Sequence, residues 1–373
     1  MRTPASFTSV LRRPSHVREG DLRAIADQVV VVTGATSGIG LATVRLAAAR
    51  GAAVVLVARD EEALVAEAER IRREGGRAVH AVADVGDPDA VDAAAQVAVD
   101  AFGGFDTWVS NAGVSILGGV DEVPLDDMRR LFDTDFWGVV HGTRAALAHF
   151  GGARREEHGP GTLETGGRAG ALVTVGSVFG DRADPVQPVY ASAKHAVHGW
   201  VDGVRMQAEV SGLPVSVTLV HPGRVATPYG DHAESLIDQH PAHRDVVYAP
   251  EVVAEAVLYA AEHPVRDLHV GGQAKAGAVL AGLFPRATDR VMERYMPWSS
   301  HDDRPSQPPS DSALWSPGRR VGERGEHPGQ VREHSSWLWA VRHRGGLRGA
   351  ALLVGVVAAG AAAVSRHATR RQR

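Results

Sequence analysis

Val-Val-Val-Val-Thr-Gly-Ala-Thr-Ser-Gly-Ile-Gly, residues 29 to 40, decides the fold. Four consecutive valines are β-branched and apolar on both faces. That pattern predicts a short strand covered from both sides, as in a parallel sheet. Gly34, Gly38 and Gly40 follow at once, and Leu41 to Arg50 reads as a helix. Strand, glycine turn and helix make the first half of a βαβ unit. Glycines let the backbone approach a pyrophosphate closely. The helix N-terminus adds unpaired N–H groups and a partial positive charge. The spacing is Gly-x3-Gly-x-Gly rather than Gly-x-Gly-x-x-Gly, so alone it also describes an ordinary Gly-rich turn.

The alternation continues outward from this stretch. Apolar runs at Ala53–Val57, Arg77–Ala83, Asp106–Ser110, Ala171–Val175, Pro214–Val220 and Asp267–Val270 read as strands. Helical stretches at Glu61–Glu74, Asp87–Phe102, Leu125–Phe150, Pro188–Ser211 and Pro250–His263 separate them. This predicts an α/β fold, a doubly wound parallel sheet of about seven strands with helices on both faces. Ligands of such sheets sit beyond the carboxyl ends of the strands. Gly34, Arg59, Asp84 and Asn111 each fall just after a strand and so converge on one edge. Gly151–Gly170 lacks apolar periodicity and reads as a surface insertion. Residues 224–248 are irregular, with a helical hint at Ala233–Asp238, and would suit a lid. Gly277–Tyr295 reads as helix broken by Pro285.

The flanks differ from this body. Residues 1–27 are expected to be a mobile extension, and 28–298 the catalytic domain. Residues 299–346, rich in Pro, Arg, Ser, His and Gly, are expected to be a disordered linker. Residues 347–373 are expected to hold an apolar helix with basic flanks. Its run of 16 apolar residues, Gly349–Val364, reaches about 24 Å as a helix, against about 30 Å for a bilayer core. Ten of the 16 are Ala or Gly, which weakens the drive to insert. A membrane anchor and a soluble or partner-bound helix both stay open. From residue 299 on there are 12 Arg against 6 acidic residues, whereas residues 1–298 carry 28 basic and 38 acidic ones. The net charge of −4 predicts no nucleic-acid affinity for the whole. There is no cysteine, so no disulfide and no thiolate metal site, and no metal is expected. This fits the cytoplasm, with attachment to a membrane through the tail as an addition.

Tyr190 and Lys194 lie four apart on a predicted helix and share a face. A nearby ammonium favours the phenolate and would move a tyrosine pKa of about 10 toward the working range. Only two of the 40 basic residues are lysines, Lys194 and Lys275, so a compact ammonium at 194 is a pointed choice. Taken alone, the pair also describes an ordinary surface pair at helical spacing. Ser177 ends a strand on the same edge as the glycine turn, where a hydroxyl could hold a carbonyl.

Together Thr33–Gly40, Asn111-Ala112-Gly113, Ser177, Tyr190-Ala-Ser-Ala-Lys194 and Pro222-Gly223 resemble the short-chain dehydrogenase/reductase superfamily. The resemblance covers about residues 27–275. It implies a nicotinamide cofactor, Tyr190 as proton donor or acceptor, and Ser177 as the group that orients the carbonyl. It implies that Lys194 binds the nicotinamide ribose and lowers the tyrosine pKa. Gly34, Thr36, Ser37, Gly38, Ile39, Gly40, Asp84, Val85, Asn111, Ala112, Gly113, Pro222, Gly223, Val225 and Thr227 would complete the cofactor site. Homo-oligomers are common in the family. One departure matters. The family asparagine before the serine strand is here Asp135, in Asp-Phe-Trp-Gly-Val. Its charge near Lys194 could raise the tyrosine pKa.

Arg59 can pair bidentately with a 2′-phosphate, and Ala58 stands where NAD enzymes of the family usually carry an acid. NADP is therefore expected over NAD. The leading reading is an NADP-dependent oxidoreductase interconverting a carbonyl and an alcohol. Val114, Phe179 and the segment around Tyr229 suggest an apolar substrate. The alternative is a cofactor-binding sensor or scaffold without turnover.

Overall fold

The computed structural model describes residues 17–152, 169–319 and 321–344. Seven strands form one parallel sheet: β1 (Val29–Thr33), β2 (Ala53–Ala58), β3 (Arg77–Val82), β4 (Thr107–Ser110), β5 (Gly170–Val175), β6 (Val215–Pro222) and β7 (Asp267–Val270). Their spatial order is β7-β6-β5-β4-β1-β2-β3. The order reverses beside β1, which pairs with β2 from Val29↔Ala53 and with β4 from Val30↔Thr107. That reversal opens the crevice in which ligands of such sheets bind.

Both faces of the sheet are covered, which is why β1 and β2 are almost unbroken aliphatic runs. Val30, Val32, Val54 and Leu56 pack on one face, with α1 (Gly38–Ala49), α2 (Glu61–Arg73) and α8 (Pro250–Glu262). Val31, Val55, Trp108 and Leu172 pack on the other, with α3 (Pro88–Phe102), α5 (Gly138–Gly152) and α6 (Pro188–Ser211). Each such fully buried side chain contributes about 1.5–3 kcal/mol.

Helix boundaries follow local chemistry. Asp60 caps α2, its carboxylate accepting the Ala63 N–H at 3.0 Å, so it is committed to the helix start. Pro188 opens α6 where a missing N–H costs little, and Gly212 closes it with φ +66°. Along α6 the residues Tyr190, Lys194, Val197, Val201, Val204 and Ala208 are buried at helical spacing. The tyrosine and lysine therefore continue the core-facing stripe to the sheet edge.

Four sequence expectations change. The stretch Leu125–Phe150 is not one regular helix. A π-helical turn, Asp133–Trp137, joins α4 (Leu125–Phe132) to α5. The helical hint at Ala233–Asp238 is displaced. Helix α7 spans Tyr229–His232, and Glu234–Ser235 pairs as a short strand with Ile116–Leu117. Residues 17–27 are docked rather than loose. Leu22 and Ile25 are buried, and the Ile25 N–H donates to Glu262.

The fourth change is the largest. Helices α9 (Gly272–Leu283) and α10 (Pro285–Ser299) lead into the expected linker, which is an ordered strap. His301–Pro305 pairs with Gln239–Pro241, Val331–Arg332 pairs with Val247–Tyr248, and α11 (Ser336–Arg344) follows. A few apolar anchors, Ala313, Leu314 and Leu338, are buried within a polar run, so composition alone hid the order. The apolar segment 349–364 lies outside the described residues. Among the described residues no helix is long and apolar enough to cross a membrane.

Candidate active site

The glycine turn is built for close approach. Gly34 has φ +67°, and a Cβ there would lie 2.9 Å from Ala112 Cα. A Cβ on Gly40 would lie 2.1 Å from the Gly34 carbonyl oxygen and 2.6 Å from Asn111 Nδ2. Asn111 Nδ2 donates to the Thr33 carbonyl at 2.9 Å, and its backbone N–H donates to Thr33 Oγ1, so the residue pins β4 to β1. Ser37 precedes the first residue of α1 and extends the turn.

Three adjoining cavities make one cleft along this edge. The first, about 730 Å³, is lined by Ser177, Phe179, Tyr190, Lys194, Val225 and Tyr229, with Pro222 and Gly223 at its rim. The second, about 560 Å³, passes over Gly34, Ser37, Ile39, Ala112 and Thr227. The third, about 650 Å³, ends on Thr36, Arg59, Asp84 and Val85. Residues shared between neighbours, such as Ile39 and Gly113, join the three. The glycine cradle, the helix N-terminus and the length of the cleft fit a dinucleotide.

At the Tyr190 end the chemistry is concentrated. Lys194 Nζ lies 5.4 Å from the Tyr190 ring centroid and 3.0 Å from Asp135 Oδ2. Asp135 is fully buried in the π-helical turn, and its Oδ1 accepts the Val114 N–H at 2.7 Å. Gly113 leaves room for the pair, since a Cβ there would be 3.3 Å from Asp135 and 3.4 Å from Lys194. Burial opposes the Lys194 charge, but Asp135 and Tyr190 outweigh it and hold the ammonium on. Tyr190 departs from the sequence expectation. Burial pushes its pKa up, Lys194 pulls it down, and Asp135 pushes it up again, leaving the phenol above its ordinary value. The neighbouring hydroxyls of Ser177 and Tyr229 favour the phenolate without reversing the direction.

The cavity wall around Tyr190 is aromatic. Tyr229 and Phe179 meet the Tyr190 ring edge-on, at centroid separations of 5.8 and 6.4 Å. Tyr229 donates to Gln187 Oε1 at 2.6 Å, and Ser115 donates to the same oxygen. Gln187 and Ser115 carried no signal in the sequence. Behind Ser177 lies a second polar group. Asp181 lies 3.2 Å from His198 Nδ1 and 3.1 Å from His221 Nδ1, while His221 Nε2 faces Asp267 at 3.2 Å. Burial works against a charged His221, but the two carboxylates outweigh it and raise its pKa. Asp181, His221 and His269 bring possible metal-binding atoms within 4.8 Å of one another. However, the His221 and His269 rings stack 4.2 Å apart at 8°, so their in-plane lone pairs run parallel and do not converge on one ion.

At the far end, Arg59 does not stand free. Its guanidinium donates to the carbonyls of Ala313, Leu314 and Ser316 in the strap. Asp84 accepts the Gly86 N–H and pairs with Arg130, a residue that sequence reasoning missed. Burial raises the Asp84 pKa, but Arg130 and the Gly86 N–H outweigh it and hold it below the ordinary carboxylate value. The Gly38 N–H donates to the Gly322 carbonyl at 2.8 Å.

A doubly wound sheet with a glycine cradle at its switch point and a Ser–Tyr–Lys set beside it defines a dinucleotide-dependent oxidoreductase. The short chain dehydrogenase family model matches residues 28–235, and the chain belongs to that family. It is 48% identical over 342 residues, 91% of this chain and 92% of the relative, to an uncharacterized oxidoreductase, YxnA, of Bacillus subtilis (strain 168). It is 30% identical to a putative oxidoreductase, SadH, of Mycobacterium tuberculosis, over 73% of this chain and 98% of that one. Among solved structures, an alcohol dehydrogenase from the archaeon Thermococcus sibiricus, complexed with 5-hydroxy-NADP, shares the fold. Its TM-score is 0.54 at 23% identity, covering 65% of this chain and 95% of that one.

Proposed function

We propose that the protein interconverts an apolar carbonyl compound and its alcohol, using NADP, with Tyr190 as general acid and base. The observation that carries the reading is the convergence of Ser177, Tyr190 and Lys194 on one cavity that runs into the glycine cradle. The cofactor supplies the hydride in reduction and accepts it in oxidation. Ser177 donates a hydrogen bond to the substrate oxygen and fixes its position. Tyr190 delivers a proton to that oxygen as reduction proceeds. Its raised pKa keeps it protonated at neutral pH, the form that donates. Lys194 stabilises the phenolate left behind and is held in place by Asp135. Phe179, Val225 and Tyr229 offer an apolar wall to the substrate. NADP over NAD is supported by Arg59, with Ala58 in place of an acid and Asp60 used as a helix cap. The NADP derivative in the archaeal alcohol dehydrogenase is in keeping with this.

The test is NADPH and NADH consumption against a panel of ketones and aldehydes. NADPH turnover lost in Tyr190→Phe, with cofactor binding retained, supports the reading. Cofactor binding with no turnover of any carbonyl would return the protein to the sensor reading.

A further inference from the structure

We propose that residues 313–316 of the strap set cofactor selectivity by competing with a 2′-phosphate for Arg59; this rests on the cleft being a dinucleotide site. A guanidinium offers an oxyanion two two-point edges, Nη1 with Nη2 and Nε with Nη2. Both edges include Nη2. In the structure Nη2 donates to the Ala313 carbonyl and, at 3.0 Å, to the Ser316 carbonyl, while Nη1 donates to Leu314 at 3.3 Å. Nη2 has two hydrogens and both are engaged. A phosphate therefore gains neither edge until a strap carbonyl lets go.

The carbonyls are held in position by contacts that do not involve Arg59. Leu314 is fully buried against the cluster of Val114, Ile116 and Leu131. Its carbonyl also accepts Arg130 Nε at 3.0 Å. The Ala313 N–H donates to the His232 carbonyl at 2.8 Å. Trp315 donates through Nε1 to Asp127 at 2.7 Å and lies under the Arg130 guanidinium, 5.8 Å from its ring centroid. A ribose 2′-hydroxyl makes no demand on the Arg59 fork, so residues 313–316 need not release Arg59 for a cofactor without the phosphate. Residues 313–316 thus lower the affinity for the phosphorylated cofactor alone, whereas the Gly322 carbonyl on the Gly38 N–H opposes either cofactor alike. These residues lie beyond the part of the chain that the family model matches, residues 28–235.

The test uses Trp315→Ala and Asp127→Ala, which remove one exposed strap anchor from either side. Calorimetry of the full-length variants with adenosine 2′,5′-bisphosphate and with 5′-AMP reads binding without turnover. Both variants are expected to bind the bisphosphate about threefold to tenfold more tightly, the worth of roughly one hydrogen bond no longer to be displaced. Binding of 5′-AMP is expected to stay within about twofold. An unchanged bisphosphate affinity, or equal changes in both ligands, overturns the proposal. Arg59→Ala separates the two layers. If it weakens the bisphosphate selectively while the anchor variants do nothing, the strap's role fails and Arg59 as phosphate ligand survives. If it has no selective effect, or if neither ligand binds, both fail.

Discussion

Replacing Asp135 with asparagine should make Tyr190 a better base. The carboxylate is 3.0 Å from Lys194 Nζ, which is 5.4 Å from the tyrosine ring centroid. The negative charge therefore lies no more than about 8.4 Å from the ring centroid. At an effective dielectric constant of ~20 a repulsion over about 8 Å is ~2 kcal/mol, and it holds the phenol's pKa up. Asparagine removes it and leaves the ammonium unopposed beside the phenol, while its amide oxygen can still accept the Val114 N–H. The pH limb of alcohol oxidation is expected to move to lower pH. Oxidation at neutral pH should rise about tenfold, because more of the tyrosine is ionised. Removing one partner of a buried pair costs about 3–5 kcal/mol, and the retained hydrogen bond puts this variant at the low end. The assay is the rate of cofactor reduction from about pH 6 to about pH 11, on protein shown by circular dichroism to be folded. A limb that stays in place in a folded, cofactor-binding variant refutes the coupling of Asp135 to Tyr190.

Tyr190→Phe should lower turnover by about 10²–10⁴-fold with cofactor affinity unchanged, read by steady-state kinetics and fluorescence titration. Gly40→Ala puts a methyl 2.1 Å from the Gly34 oxygen, so it should lower stability by about 1–3 kcal/mol in a denaturant melt and weaken cofactor binding. His221 gains its charge from Asp181 and Asp267, so its folded pKa lies above the unfolded value of about 6.5. Its contribution is complete below that value and is lost as pH rises through the folded pKa. Asp181, held low against burial by the two histidines, contributes above about pH 4 and is lost as pH falls. Thermal melts of His221→Gln should lose the alkaline decline attributable to this group; an unchanged pH profile would show that the cluster stores no such energy.

The sheet was legible because its information is local. Val29–Val32 can be buried on both faces only in a covered parallel strand, and Gly34, Gly38 and Gly40 mark the turn without help from distant residues. Tyr190 and Lys194 were legible from a spacing of four. Other features depend on contacts that spacing does not carry. The raised pKa of Tyr190 needs its full burial as well as its charged neighbours. The π-helical turn at Asp133–Trp137 leaves the apolar pattern of Leu125–Phe150 nearly intact, so periodicity did not reveal it. Arg130 looked like any exposed helical arginine until the fold brought it to Asp84. The strap was misread because its order comes from tertiary anchors spaced without a period. Polar composition predicts disorder only when nothing nearby offers a surface to bind.

Gly325 and His327 reach the other mouth of the cleft, where the Gly325 N–H donates to the Ala226 carbonyl and His327 Nε2 meets the Thr227 carbonyl at 2.9 Å. Val331 and Arg332 pair with Val247 and Tyr248, and Tyr248 in turn exchanges backbone hydrogen bonds with Arg224 and Ala226. One continuous piece of backbone therefore buttresses both openings of the crevice. Trimming the protein at residue 298, where its charge balance changes sign, would strip that brace and leave a bare sheet edge with a loosened rim. The compositional seam is not a place where this molecule comes apart.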